Sequence, residues 1–82
     1  MAVVVISEEK PKVPEACKEL GRSNGNKVIY LCPGGLLEIS RKEIRIEEIP
    51  KKYREEAKEE IEKAKKKGKE TVTMWTLRFS ID

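Results

Sequence analysis

Histidine and glutamine are absent from this 82-residue chain, and its only aspartate is the last residue, Asp82. Without histidine, the side chain most often used to move protons near neutral pH is missing. Asparagine occurs only at Asn24 and Asn26. The apolar run Ala2–Ile6, six residues with Met1, is far short of the ~20 residues that span a bilayer, so no membrane partner is expected. The start MAVVVISEEK lacks the basic first segment of a signal peptide, and cytoplasmic residence is the expectation. Cysteine is limited to Cys17 and Cys32. Two thiols and no imidazole make half of a structural zinc site, and 14 intervening residues are not a ligand-pair spacing. Neither a metal nor a cofactor is expected.

What the chain has instead is charge. Charged residues make up 40% of it, against ~25% in an average globular domain. Both signs are present, mostly as Lys and Glu, which separates the chain from a one-signed disordered tail. High Lys and Glu with few amides is a thermophile-like composition. Designed proteins share it, because Glu, Lys and Ala are strong helix formers. The length suits one domain, 1–82, with a thin core.

The β-branched run Ala2–Ile6 reads as a strand buried on both faces. Val13, Ala16, Cys17 and Leu20 fall at helical spacing, with Pro14 in a first turn and Gly21 at the end, and predict a short helix. Ser23-Asn24-Gly25-Asn26 is a turn cluster. Lys27–Cys32 is a second strand, apolar on both faces, and Leu36–Ser40 a third. Leu37 and Ile39 differ in parity from Ile44 and Ile46. The switch predicts a bulge near Arg41-Lys42, a turn there, or a helix starting after Ser40 with Glu43 completing a capping box. The alternation from Ile44 to Glu47 favours strand. Tyr53, Ala57, Ile61 and Ala64 form the apolar stripe of a helix over 50–67, which Gly68 ends. Residues 70–82 alternate as a strand with Trp75, Leu77, Phe79 and Ile81 inward. Val72 and Met74 have the opposite parity, so a bulge at Met74-Trp75 is predicted, or burial of both faces in the first half.

The resulting order βαββαβ predicts an α+β two-layer sandwich of the ferredoxin-like type, with both helices on a four-stranded antiparallel sheet. The alternative is a β-meander through 27–47 packed on one long helix. In the ferredoxin-like order the last strand lies at an edge, where its backbone is free to pair with another chain.

Three stretches are candidate sites. With the first helix in place, Cys17 and Cys32 lie roughly 10 Å out of step along their elements, beyond the ~7 Å Cα limit of a disulfide. Two buried free thiols are therefore expected, and Cys32 has no histidine to activate it. Pro33-Gly34-Gly35 lacks the Lys-Ser/Thr ending of a phosphate loop and is followed by a strand. It reads as a three-residue hairpin loop with Gly35 as its left-handed residue. The third stretch is basic. Residues 50–69 hold nine Lys or Arg and five Glu, whereas the rest of the chain is slightly acidic. Lys63, Lys65, Lys66, Lys67 and Lys69 could together bind nucleic-acid phosphates without reading sequence. Lysines at a helix C-terminus also simply complement the macrodipole.

These features point to a non-catalytic domain with a structural or protein-binding role, homodimeric through an exposed sheet edge. The alternatives are a nucleic-acid-associated protein that uses the five lysines, or an engineered sequence without natural activity. An enzyme is the least supported class.

Overall fold

Two eleven-residue strands, β4 (Gly35–Arg45) and β5 (Thr71–Ile81), pair along their full length in a computed structural model that describes residues 2–23 and 25–81. Around this spine lie β1 (Ala2–Ile6), β2 (Lys18–Ser23) and β3 (Lys27–Cys32). The sheet order is β1-β5-β4-β3-β2, with every neighbour antiparallel. A 3-10 turn (Ile46–Glu48), α1 (Lys51–Arg54) and α2 (Lys58–Lys66) connect β4 to β5. Asn24 in the expected turn and Asp82 at the end of the expected last strand lie outside the described residues.

Neither expected architecture forms. Among the described residues the sheet has five strands rather than four, and only α2 is a helix of more than two turns, so the fold is not the ferredoxin-like sandwich. The cause lies at residues 7–17. The helix predicted there shrinks to one turn, closed by the Cys17 N–H donating to the Pro14 carbonyl at 3.0 Å. Pro11 and Pro14 have no N–H to donate, and so short a segment does not repay helix nucleation. The chain instead crosses one face of the sheet from edge to edge. It then returns as β2, an element the helical reading had consumed.

That crossing explains both parity switches. Residues paired across the ladder share a face, so Val5, Trp75, Ile39 and Val28 point to one side, and Ile6, Val72 and Ile44 to the other. On the first side Val28, Tyr30, Ile39 and Trp75 form a core covered by the crossing segment, which contributes Val13 and Cys17. On the second side Ile49, Ala64 and Val72 form another core beneath the helices, with Ile6, Ile44, Tyr53 and Ile61. Each long strand therefore buries one face in one half and the opposite face in the other. The pairing of β4 with β5 runs unbroken from Gly35↔Ile81 to Arg45↔Thr71. Neither the bulge expected near Arg41-Lys42 nor the one at Met74-Trp75 exists. None of the three readings of this stretch is met: β4 runs unbroken through Arg45, and the strand expected from Ile44 to Glu47 gives way to the 3-10 turn at Ile46.

The expected helix over 50–67 is interrupted at residues 55–57, where Lys58 N–H reaches back to Glu55 rather than to Arg54. Its stripe still faces the sheet, with Ala57 and Ala64 both 3% exposed. Gly68 stops it with φ +74°. The Gly68 N–H donates to the Lys65 carbonyl and the Lys69 N–H to Ala64, the two bonds of a Schellman closure. No helix among the described residues is long and apolar enough to cross a membrane.

Candidate functional site at a free sheet edge

The sheet has two edges, and their chemistry differs. β2 carries Lys18, Glu19 and Arg22 and is bulged between Glu19 and Gly21. Charge and a bulge are the usual devices that keep an edge from pairing with another chain. β1 has neither. Its five residues, AVVVI, include no charge, no proline and no glycine, and its register with β5 runs without a shift from Ala2↔Arg78 to Ile6↔Met74. Among the described residues no strand lies on its other side. A row of backbone donors and acceptors is therefore presented outward from a straight, apolar strand. Val3 is 52% exposed on it. The sequence did point to an exposed edge, but to the wrong strand: β5 is sandwiched between β1 and β4.

Beside this edge runs a groove of about 160 Å³ lined by Val4, Val5, Ile6, Tyr53, Glu56 and Ala57. Val4 and Ile6 sit on the helix-bearing face, so the groove lies between the strand and the helical layer. A strand added to β1 would place alternate side chains into it. On the same face, further from the helices, Leu31 and Leu36 oppose each other and are 48% and 41% exposed. Lys27 and Glu38 pair beside them at 2.7 Å.

The lysines of the basic tract meet two different surroundings, and Lys69 belongs to both. Lys67 and Lys69 reach Glu8 of the crossing segment, at 3.1 and 4.0 Å. Hydrogen bonding from Lys67, with the charges of Lys69 and Lys63, holds the Glu8 carboxyl below its ordinary value. Three of the five thus surround an acidic group from the other end of the chain. Lys65 and Lys69 line a separate cleft of about 440 Å³ with Ile46, Arg45, Arg54, Glu47 and Glu70. Arg54 is already committed there, its guanidinium donating to the carbonyls of Ile49 and Glu47 at 3.0 Å each. Sequence reasoning counted Arg54 only in the charge of the tract and missed Arg45, which lies outside it.

The cysteines contradict the expectation of free thiols: Cys17 and Cys32 form a disulfide with Cα atoms 4.1 Å apart. Once residues 18–23 are a strand, the pairing Lys18↔Leu31 sets Cys17 opposite Cys32 just beyond the ladder. The bulge makes this match. Pairs nearer the turn, such as Arg22↔Val28, follow a register one residue different, which would set Cys17 opposite Pro33 on the wrong face. A bond of this kind persists in oxidising compartments and in the cytosol of hyperthermophiles. The adjoining loop also differs from expectation. Cys32 pairs with Gly35, leaving a two-residue turn in which Gly34, at φ +89°, is the left-handed residue after Pro33. Gly35 belongs to β4, where a Cβ would overlap the Ser80 carbonyl oxygen.

A polar cluster centred on Glu43 lies on the crossing-segment face of β4 and β5. Thr73 donates to Glu43 at 2.6 Å, Thr71 donates at 3.4 Å, and Arg41 lies 3.4 Å away. The Thr73 hydrogen bond, with those from Arg41 and Thr71, holds the Glu43 carboxyl below its ordinary value. Glu38 is lowered too, by its hydrogen bond from Lys27 and by the charge of Arg78. A carboxylate held below its ordinary value is a weak base and is not an acid at neutral pH, which suits ion pairing rather than proton transfer. A folded-state value below the unfolded one contributes stability above the unfolded pKa, and that contribution is lost as pH falls through the folded value. Glu43→Gln is therefore expected to be less stable than the wild type at neutral pH. The gap should close as pH falls below about 4.3. Urea denaturation of both proteins across that range checks it, and a gap independent of pH would contradict the assignment.

No family model, no curated protein and no solved structure matches this chain.

Proposed function

We propose that the protein is a non-catalytic association domain that binds another polypeptide by adding a strand to β1. The observation that carries this is the contrast between the edges: β2 is bulged and charged, while β1 is straight, uncharged and, among the described residues, unpaired on its outer side. Strand addition takes its affinity from main-chain hydrogen bonds and its selectivity from pockets for alternate side chains. The groove under Tyr53 and Ala57 is such a pocket. The absence of histidine and the lowered carboxylates of Glu8, Glu38 and Glu43 support the non-catalytic part.

The test uses a fluorescein-labelled short peptide of alternating valine and threonine, titrated with dilute protein. Binding should be saturable, and hydrogen exchange should slow at residues 2–6 rather than along β2. Absence of binding, or protection along β2, would remove the proposal.

A second reading places nucleic-acid phosphates at the basic end. It is favoured by the cleft that gathers Arg45, Arg54, Lys65 and Lys69. On this reading generic duplex DNA binds at low salt. Neutralising Lys65 and Lys69 to glutamine then lowers the slope of log affinity against log salt by about 2. An unchanged slope would exclude that site.

A further inference from the structure

Building on the assignment of β1 as the docking edge, we infer that its occupant is β1 of a second copy of this chain, antiparallel about a two-fold axis at Val4. The reason is self-complementarity. Antiparallel pairing of two identical charged strands generally sets some like charges opposite each other, which is unfavourable. AVVVI has none to oppose. The register centred on Val4 pairs all five residues: Ala2 with the partner's Ile6, Val3 with the partner's Val5, and Val4 with the partner's Val4. It also keeps the alternation of faces, because opposed residues lie on the same side of a continuous sheet.

The side-chain layers agree with that register. On the helix-bearing face the added strand brings the partner's Ala2 beside Ile6 and the partner's Val4 beside Val4. Both positions adjoin the groove formed with Tyr53 and Ala57. At about 160 Å³ the groove has room for small aliphatic side chains such as these. Each protomer thus completes the other's groove. On the opposite face the partner's Val5 covers Val3, which is 52% exposed in a single copy. The product is a ten-stranded sheet with both helical layers on one side. A five-residue edge is small beside the ~1,600 Å² of a standard interface, so the dimer belongs at the weak end, with Kd on the order of 100 μM.

The test is molar mass by light scattering or sedimentation over a concentration series, for the wild type, Val4→Lys, Val4→Glu and an equimolar mixture of the two variants. The wild type should approach twice the chain mass at high concentration. Each variant alone should stay at the chain mass, because the two-fold axis opposes like charges. The mixture should recover the doubled mass, because it opposes lysine to glutamate. Hydrogen exchange on the wild type, dilute and concentrated, gives a readout that needs no variant: the added protection should fall on residues 2–6. A wild type that remains monomeric, protection elsewhere, or a mixture that stays monomeric while both variants remain folded would each overturn the inference. A monomer that still binds the valine-threonine peptide would remove only the second copy and leave strand addition standing. A monomer that binds no peptide would remove both.

Discussion

Replacing Trp75 with alanine is expected to destabilise the fold by about 3–5 kcal/mol. A chain of this size has about 5–15 kcal/mol in all, so the variant should be close to unfolded at ambient temperature. Two roles meet in this side chain. Its ring packs with Val28, Tyr30 and Ile39 in the core beneath the crossing segment. Its Nε1–H donates to the Ser7 carbonyl at 2.9 Å, pinning that segment where it leaves β1. Trp75→Phe keeps most of the packing and removes the donor, and should lose only about 1–3 kcal/mol. Urea denaturation followed by circular dichroism separates the two variants. Equal losses would mean that the hydrogen bond, and not the core, carries the effect. A loss under about 1 kcal/mol for alanine would mean that this core does little for the fold.

Breaking the disulfide, by Cys32→Ser or by reduction, should destabilise by about 3 kcal/mol, the figure for closing a loop of this length. Cys17 and Cys32 are 15 residues apart, and the loop they close contains all of β2. The bond is also the far anchor of the crossing segment. Between Ser7 and Cys17 the segment is held by Lys10 bonding to the Tyr30 hydroxyl and by Val13 in the core. Without the bond, exchange should rise first in residues 8–17 and in β2, while β4 and β5 stay protected. Inserting one alanine between Lys18 and Glu19 provides an independent check. With Glu19 held opposite Tyr30, the inserted residue would face Leu31 and Cys17 would move opposite Pro33, so both thiols should titrate as free under oxidising conditions. Deleting Leu20, the extra residue of the bulge, keeps Cys17 opposite Cys32 and should leave the disulfide intact. If the disulfide still forms in the insertion variant, the register does not decide the pairing. If reduction leaves stability unchanged, the bond is not what holds the crossing segment.

Local pattern determined much of this protein. The β-branched run at 2–6, the strand at 27–32, the alternation from Trp75 to Phe79, the stripe Tyr53, Ala57, Ile61 and Ala64, and the stop at Gly68 are all nearest-neighbour facts, whereas Ile81, expected inward, is 86% exposed. A strand alternates and a helix repeats every 3.6 residues, whatever lies above them. The parity switches between Ile39 and Ile44 and between Val72 and Trp75 were equally visible. Their cause was not, because a change of buried face looks the same whether the strand bulges or its cover changes sides. Only the tertiary structure decided that the crossing segment and the helices cover opposite faces of one unbroken sheet.

The same holds for the candidate site. Sequence showed an uncharged run at Ala2–Ile6, but its reading as a strand buried on both faces implied a central position rather than an edge. The basic tract was plain in the sequence, while its division between Glu8 and the cleft of Arg45 and Arg54 depends on contacts between residues far apart in the chain. The thiols were misjudged for a related reason. Their separation rested on helical rise, and one turn at Pro14 with one bulge at Leu20 changes the register that brings them together. Spacing along the chain set which residues share a face. Which face was covered, which edge stayed open and which cysteines met were decided by how the eleven residues between β1 and β2 cross the sheet.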